Sequence, residues 1–170
     1  MTAEHVERLR LRFSPDDLFE LVSDVRRYPD FLDPITAMRV TDDNVENGTG
    51  RLNAEARIRF KLVRERFATR VQLDRDAGVI DVEYLSGPFH DLANRWTFHR
   101  LDDGSTLVDF WIRYAFKNPV LQMLMDGNRV RAIRYLINAF QKEAHARYDV
   151  CGEADYDLAT TLEHFKPAVR

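Results

Sequence analysis

Apolar and polar residues alternate with a period of two through most of residues 35–116. Groups of turn-forming residues interrupt this alternation at 47–50, 76–78, 86–88 and 102–104. Alternation between turns is typical of strands that have one buried and one solvated face. The pattern predicts an antiparallel meander of about six strands.

The alternation also assigns each strand residue to one of two faces of the sheet. The apolar face is predicted to contain Ala54, Ala56, Ile58, Phe60, Phe67, Thr69, Val71, Leu73, Ile80, Val82, Tyr84, Leu92, Asn94, Trp96, Phe98, Val108, Phe110, Ile112, Tyr114 and Phe116. The solvated face is predicted to contain Arg57, Arg59, Arg66, Arg70, Asp81, Glu83, Arg95, Asp109 and Arg113. Something else in the chain must cover the apolar face.

A further strand and a helix are predicted before the meander. Residues 6–13 mix apolar residues with arginines, as a strand with one wet face does. Ser14 followed by Pro15 and two aspartates is a strong helix start, because it combines an N-cap, a first-turn proline and acids near the positive end. Pro29 disfavours helical angles at Tyr28, so we expect this helix to end near Arg27.

A long C-terminal helix is predicted to cover the apolar face. Asn118 and Pro119 form a helix start, and apolar residues recur at helical spacing from there to about Tyr148. A continuous helix of this length would span roughly 45 Å, although Gly127 is expected to loosen it. The predicted fold is α+β: a curved antiparallel sheet of about seven strands wrapped around the long C-terminal helix, with two short helices after the first strand.

The pattern fades after Tyr148. We therefore predict one domain over residues 1–148 and a loosely ordered tail over residues 149–170.

Composition narrows the classes of function. The 170 residues are 45% hydrophobic and 31% charged, as expected for one soluble domain, and the net charge of −3 argues against a DNA-binding polycation. The apolar runs are too short for a membrane span and the N-terminus lacks a signal-peptide pattern, which indicates a cytoplasmic protein. The single cysteine, Cys151, excludes an internal disulfide.

No motif indicates catalysis, a metal or a cofactor. The five histidines are scattered without helical i, i+4 pairs, and neither a nucleophile elbow nor a phosphate loop is present. One alternative is that His99 and Tyr114 meet in a cavity as acid and base. A single histidine at a strand end is more often structural, so we predict a protein that is not an enzyme.

Three segments carry a family resemblance: "FELVSDVRRYPDFL" from residue 19, "GPFHDLANRWTF" from residue 87 and "VDFWIRYAFKNPVLQ" from residue 108. With the order of elements, they resemble the coenzyme Q-binding branch of the START-like helix-grip superfamily, whose bacterial members include ribosome association toxins. The resemblance spans residues 3–148. One departure lies at Asp33-Pro34-Ile35, where the family usually has Pro-Trp after Phe-Leu.

The resemblance implies a cavity between the sheet and the long helix that holds ubiquinone or a related polyprenyl lipid. It implies a non-enzymatic lipid chaperone supporting respiratory quinone function, with transient contact to the inner membrane. The implied ligand-binding residues are Tyr28, Phe31, Leu32, Phe60, Phe67, Tyr84, Trp96, Phe98, Phe110, Tyr114, Phe116, Leu121, Leu124, Met125, Ile133 and Ile137.

The first three of these residues have two interpretations. Tyr28, Phe31 and Leu32 either form a partly exposed apolar lip over the cavity entrance, beside the apolar residues 120–125, or plug one end of the core.

The arginines of the solvated face leave a second function open. Together with Arg129, Arg131 and Arg134 after Gly127, they either form an ordinary solvated surface among the neighbouring carboxylates or contact lipid headgroups or ribosomal RNA. The family alternative is therefore a ribosome-binding regulator that contacts the large subunit and impedes subunit association. A third, weaker alternative is a cyclase- or aromatase-like enzyme.

Overall fold

A computed structural model describes residues 2–163 and 165. One seven-stranded antiparallel sheet has the strand order β1-β7-β6-β5-β4-β3-β2. The elements are β1 Ala3–Leu11, α1 Pro15–Ser23, α2 Tyr28–Phe31, β2 Ile35–Thr41, β3 Thr49–Phe60, β4 Val63–Asp74, β5 Val79–Ser86, β6 Phe89–Arg100, β7 Thr106–Phe116, α3 Pro119–Asp126, α4 Arg129–Arg147 and α5 Leu158–Leu162. The predicted α+β class and strand number are confirmed.

Helix α1 begins where the sequence predicts. The Ser14 side chain accepts a hydrogen bond from the Asp17 backbone N–H at 3.1 Å, and Pro15 occupies the first turn. These contacts satisfy one of the free donors at the helix start and need no donor from the proline. The apolar face of α1 is fully buried.

The end of this helical region differs from the prediction. Helix α1 stops at Ser23, a 3-10 turn spans Val25–Arg27, and Tyr28 begins α2 with helical angles of φ −54° and ψ −39°. The predicted exclusion of Tyr28 from helical angles is wrong. Tertiary contacts outweigh the local bias before Pro29, because the Tyr28 hydroxyl donates to the Val22 carbonyl and its ring packs edge-on against Phe140.

The C-terminal helical region is interrupted where the sequence predicts loosening. The Asn118 side chain caps α3 by accepting from the Val120 N–H at 2.8 Å. At the break after Gly127, the Asn128 side-chain amide donates to the Leu124 carbonyl at 2.7 Å. The 19-residue α4 that follows is about 28 Å long.

The core has two apolar clusters on the inner face of the sheet. The main cluster joins α1 and α4 to β3–β7 and includes Phe13, Leu18, Phe19, Leu21, Trp96, Phe98, Phe110, Ile133, Ile137 and Phe140. The second cluster is smaller and lies where β6 begins and β7 ends; its buried members are Ala3, Phe89, Leu92 and Tyr114.

Part of the chain after Tyr148 is attached to β1 by hydrogen bonds. The Cys151 N–H donates to the Arg12 carbonyl at 2.9 Å, and the Arg12 guanidinium donates to the Gly152 carbonyl at 2.9 Å. The Arg10 guanidinium lies 4.8 Å from the centroid of the Tyr156 ring. The domain boundary at residue 148 stays a prediction.

The outer face of β7 is less solvated than alternation predicts. Asp109, assigned to the wet face, is only 8% exposed. Its carboxylate accepts two hydrogen bonds from Arg8, at 2.6 and 2.9 Å, and lies 2.8 Å from His99 Nε2. The His99 ring in turn lies 5.3 Å from the ring of Phe165, so the C-terminal segment covers part of this face.

Candidate ligand groove

One row of inner-face residues is left incompletely buried between the two clusters. The strand register places His5, Ile112, Asn94 and Val82 side by side on β1, β7, β6 and β5, and each side chain is partly exposed. We call this row the inner groove. The adjacent row towards α1, which contains Phe110, Trp96 and Ile80, is buried.

Packing explains why the inner groove exists. Ile112 contacts both clusters, and Val82 packs against the main cluster, yet neither is covered completely. The inner-facing part of α4 that is buried consists of Ile133, Ile137, Phe140 and Ala144, all of the main cluster. The groove is therefore an incompletely covered row with two apolar members, Ile112 and Val82, and two polar members, His5 and Asn94.

Polar groups lie at the groove without closing it. The Asn94 side-chain amide donates to the Trp111 carbonyl at 2.8 Å, and His5 Nε2 lies 2.8 Å from the Glu7 carboxylate. These internal bonds hold both side chains in fixed orientations. The groove thus combines apolar walls with a few oriented polar atoms, which is typical of sites for small hydrophobic molecules.

Tyr114 supplies a buried donor next to the groove. The residue is 4% exposed, and its hydroxyl has no hydrogen-bond partner among the described residues. Burial raises the pKa of Tyr114, while the charge of Arg129 acts to lower it and that of Asp126 to raise it. An unsatisfied buried hydroxyl costs about 1–3 kcal/mol. A ligand oxygen that accepts a hydrogen bond from the Tyr114 hydroxyl would therefore be stabilised here.

The corner between α3 and α4 adds a cationic pocket. The Nε atom of Arg129 is buried without a partner among the residues described. The pocket at this corner is lined by Asp126, Gly127, Asn128, Arg129, Val130, Arg131 and Arg134. Three guanidinium groups face one carboxylate there, so the corner favours a partner with negative or strongly dipolar oxygen atoms.

The sequence-predicted ligand residues divide between the two clusters. Members of the main cluster are Leu32, Trp96, Phe98, Phe110, Ile133 and Ile137, with Tyr28 and Phe31 packed against it. The second cluster contains Tyr114 with Phe67, Tyr84, Phe116 and Met125 against it. On α3, Leu121 is buried and Leu124 is partly buried. Phe60 belongs to neither cluster and is 45% exposed at the end of β3.

The predicted lip lies elsewhere than expected. Leu32 is 2% exposed, and the rings of Tyr28 and Phe31 pack against Phe140 of α4 with centroid distances of 5.4 and 5.2 Å. The expected position beside the apolar residues of α3 is wrong, because α2 folds back on the C-terminal half of α4. Tyr28 and Phe31 stay partly exposed, so the choice between a lip and a core plug stays a prediction.

The alternative acid-base pair of His99 and Tyr114 is also wrong. His99 lies on the outer face and contacts Asp109, whereas Tyr114 lies on the inner face in the second cluster. Strand alternation separates neighbouring positions to opposite faces, so these two side chains cannot meet across the sheet.

Arg129 is a site residue that the sequence indicates only as a member of a basic cluster, and not as part of a ligand site. In the sequence, an arginine at the start of a helix looks like any solvated cation. The break at Gly127 and Asn128 places Arg129 where its charge acts on the Tyr114 hydroxyl. An unusual signal was present in the cluster of Arg129, Arg131 and Arg134 directly after a helix-loosening glycine.

The arginines of the outer face fall into two groups. On β5–β7 they form ion pairs: Arg95 with Asp81 at 2.6 Å, Arg113 with Asp91, and more loosely Arg70 of β4 with Glu83 at 3.9 Å. On the β3–β4 hairpin, Arg57 stands opposite Arg66 and Arg59 opposite Arg64. Within residues 2–163 and 165, no ion pair neutralises these four cations.

Two kinds of feature are absent from the described residues, membrane-spanning helices and metal-ligand clusters. Across the part of the chain that the structure describes, no helix is both long and apolar enough to cross a bilayer. In the same residues, no group of three or more histidine, cysteine or acidic side chains is placed to hold a metal ion.

Comparison with known proteins places the chain in a family. Residues 11–141 match the family described as polyketide cyclase / dehydrase and lipid transport. The ribosome association toxin RatA of Rickettsia prowazekii is 31% identical over 137 residues, covering 79% of this chain and 90% of the toxin.

Two solved structures show the same architecture. The 18 kDa protein CC1736 of Caulobacter crescentus is 42% identical with a TM-score of 0.70, covering 85% of this chain and 97% of that one. The Zhui aromatase/cyclase of Streptomyces sp. R1128 has a TM-score of 0.72 and covers 86% of this chain and 96% of its own, but at 17% identity it shows the fold alone. The fold is START-like. The chain therefore belongs to the polyketide cyclase / dehydrase and lipid transport family, with RatA toxins among its relatives.

Proposed function

We propose that the protein binds a hydrophobic small molecule, ubiquinone or another polyprenyl lipid, between the inner face of its sheet and α4. The observation that carries this proposal is the inner groove, a row of partly exposed side chains between the two buried clusters of the inner face. The description of the family includes lipid transport, which agrees with this use of the fold.

The proposed binding energy comes from two sources. Each methylene buried in the groove contributes about 0.8 kcal/mol, so part of an isoprenoid tail beside Val82 and Ile112 is enough for firm binding. The Tyr114 hydroxyl, which has no partner among the described residues, donates to a ligand oxygen such as a quinone carbonyl. The pairing of one polar anchor with apolar walls selects an amphipathic ligand over a small polar one.

Direct extraction tests this function. Protein purified from a quinone-producing cell and extracted with organic solvent is expected to yield quinone in near-stoichiometric amounts. Delipidated protein is expected to take up added quinone, and Ile112→Trp, which fills the groove, is expected to reduce that uptake about tenfold or more. Val6→Trp is the matched control, because Val6 is partly exposed on the outer face of the adjacent strand.

Two experimental results would contradict the binding proposal. Delipidated protein that remains folded but takes up no quinone shows that the groove does not serve this ligand. Uptake that is equally strong in Ile112→Trp shows that the ligand binds somewhere other than the groove.

The proposed role is non-enzymatic. The inner groove brings together no nucleophile with a base, and His99, the alternative acid-base residue, is bonded to Asp109 on the other face. Quinone recovered chemically unchanged after prolonged incubation is the expected result. A converted product would favour the cyclase-like alternative, since the fold is shared with an aromatase/cyclase.

A second candidate function is ribosome binding, favoured by the cations of the β3–β4 hairpin. Arg57 opposite Arg66 and Arg59 opposite Arg64 are like-charged pairs that destabilise a hairpin unless an anion lies over them. RNA phosphates supply such an anion, and relatives of this chain are named ribosome association toxins.

Cosedimentation with the large ribosomal subunit at moderate salt tests the second candidate. Changing Arg57, Arg59 and Arg66 together to Glu is expected to abolish it, whereas Arg51→Glu is the control, because Arg51 is exposed at the other end of β3. No cosedimentation at low salt would exclude ribosome binding.

A further inference from the structure

One end of the molecule concentrates exposed apolar side chains. Strands β3, β5 and β7 run in the same direction and end there, so this end includes the β3–β4 hairpin, the β5–β6 turn and the start of α3. Five of the nine large apolar residues exposed in the described chain lie here, and we call this surface the hairpin end: Phe60, Leu62, Leu85, Val120 and Met123.

The tip of the β3–β4 hairpin is the most exposed part of this surface. Leu62 is 99% exposed, and Lys61 has a φ of 55°, in the left-handed region where glycine is the usual residue. Gly87 of the β5–β6 turn lies against Phe67 of β4. The hairpin continues from Phe67 to Leu62, so at about 3.4 Å per residue its tip projects roughly 15 Å beyond that turn. The tip of this protruding hairpin therefore carries a lysine and a fully exposed leucine side chain.

The same end is strongly cationic. Residues 57–66 carry five arginines and lysines and one carboxylate, Glu65. No carboxylate among the described residues forms an ion pair with Arg59, Lys61 or Arg64. Lys117 lies at the end of β7, beside the first turn of α3.

We propose that the hairpin end docks on an anionic lipid bilayer, with Leu62 and the exposed side chains of α3 inserted among the acyl chains and the hairpin cations at the headgroups. Cations that flank protruding aliphatic side chains match the two layers of a bilayer surface, charged outside and apolar within. An RNA partner uses the cations but leaves Leu62 and Met123, which is 73% exposed, in water.

The purpose of this docking rests on the proposed function, because a polyprenyl ligand is collected from or released to a bilayer. It is tested separately with vesicles that contain no quinone. Vesicle binding without quinone uptake leaves docking standing and removes the ligand proposal; quinone uptake without vesicle binding does the reverse.

Vesicle cosedimentation is the first experiment, with phosphatidylcholine alone compared to phosphatidylcholine mixed with phosphatidylglycerol. Binding to the anionic mixture is expected to be about tenfold stronger or more and to weaken with salt. The double substitution Leu62→Ser with Met123→Ser is expected to reduce it about tenfold, because both side chains leave the acyl region. Val6→Ser with Val150→Ser is the matched control, since both are exposed outside the hairpin end.

A label at the tip tests insertion directly. In a Cys151→Ser background, Leu62→Cys carrying an environment-sensitive dye is expected to shift its emission to the blue with anionic vesicles, whereas Val6→Cys with the same dye is not. Absence of vesicle binding, or binding with no blue shift at position 62 and no loss in the serine double variant, would overturn the proposal. Loss of ribosome cosedimentation in that double variant, without any vesicle binding, would assign the surface to the ribosome instead.

Discussion

The rings of Phe31 and Phe140 pack edge to face, with centroids 5.2 Å apart and an interplanar angle of 77°. The Arg147 guanidinium lies 5.5 Å from the centroid of the same Phe31 ring. The short helix α2, which contains Pro29, is thereby fixed to the C-terminal half of α4. This contact favours core packing over a ligand entrance as the reason why the segment is so rich in aromatic residues.

Replacement of Phe31 by alanine is therefore expected to destabilise the protein by about 2–4 kcal/mol, as for a largely buried aromatic. Denaturant unfolding followed by circular dichroism measures the loss. Phe60→Ala is the matched control and is expected to cost under about 1 kcal/mol, because Phe60 is 45% exposed and outside both clusters. A loss as small at Phe31 as at Phe60 would restore the lip interpretation.

Asp109 is expected to make stability depend on acid pH. Burial of its carboxylate acts to raise its pKa, but hydrogen bonds from Arg8 and His99 outweigh burial and lower the pKa below its usual range. The charged carboxylate therefore stabilises the folded state above the unfolded pKa of about 3.9, and this contribution is lost as the pH falls through the lower folded value.

Asp109→Asn is expected to lower the free energy of unfolding by about 2–4 kcal/mol at neutral pH, because it removes a buried carboxylate that accepts two hydrogen bonds from the partly buried Arg8 guanidinium. Urea unfolding of both proteins from pH 7 to pH 2 measures the effect. The difference between them is expected to shrink below about pH 4. A constant difference over the whole range would contradict the assigned role of the charge.

The sequence was sufficient for the elements whose signals are local. Ser14 and Asn118 predict the starts of α1 and α3, Gly127 predicts the break between α3 and α4, and alternation predicts which strand residues face the core. These features depend on neighbouring residues, so their physical causes are present in the sequence.

Features that depend on distant residues were not predictable in the same way. Asp109 is buried because Arg8, about a hundred positions earlier, and His99 converge on it. The placement of α2 depends on Phe140, and the link between Tyr114 and Arg129 depends on how α4 leaves the break. Alternation predicts the face on which a side chain lies but not what covers that face.

Gly87 offers a test of the close contact between two hairpins. Its φ is 137°, and a Cβ atom added there would lie 2.5 Å from the Cβ of Phe67. Gly87→Ala is therefore expected to cost about 2–4 kcal/mol from backbone strain and the clash together. Gly104→Ala is the control: its φ of 86° is also strained, but nothing lies within 4 Å, so about 1 kcal/mol is expected in thermal or urea unfolding. Equal losses would mean that the strand contact adjusts freely.

Removal of the Tyr114 hydroxyl is expected to separate stability from binding. In ligand-free protein, Tyr114→Phe removes a buried donor that has no partner among the described residues, so the free energy of unfolding should stay the same or rise by about 1 kcal/mol. Quinone affinity should fall about fivefold to tenfold, because the ligand oxygen loses its donor.

Tyr84→Phe is the control, since the Tyr84 hydroxyl accepts from the Phe89 N–H at 3.2 Å and its loss should cost about 1 kcal/mol. Urea unfolding and quinone titration of the three proteins measure both quantities. A Tyr114→Phe protein that is less stable than the wild type, and binds quinone equally well, would show that the hydroxyl serves the fold and not a ligand.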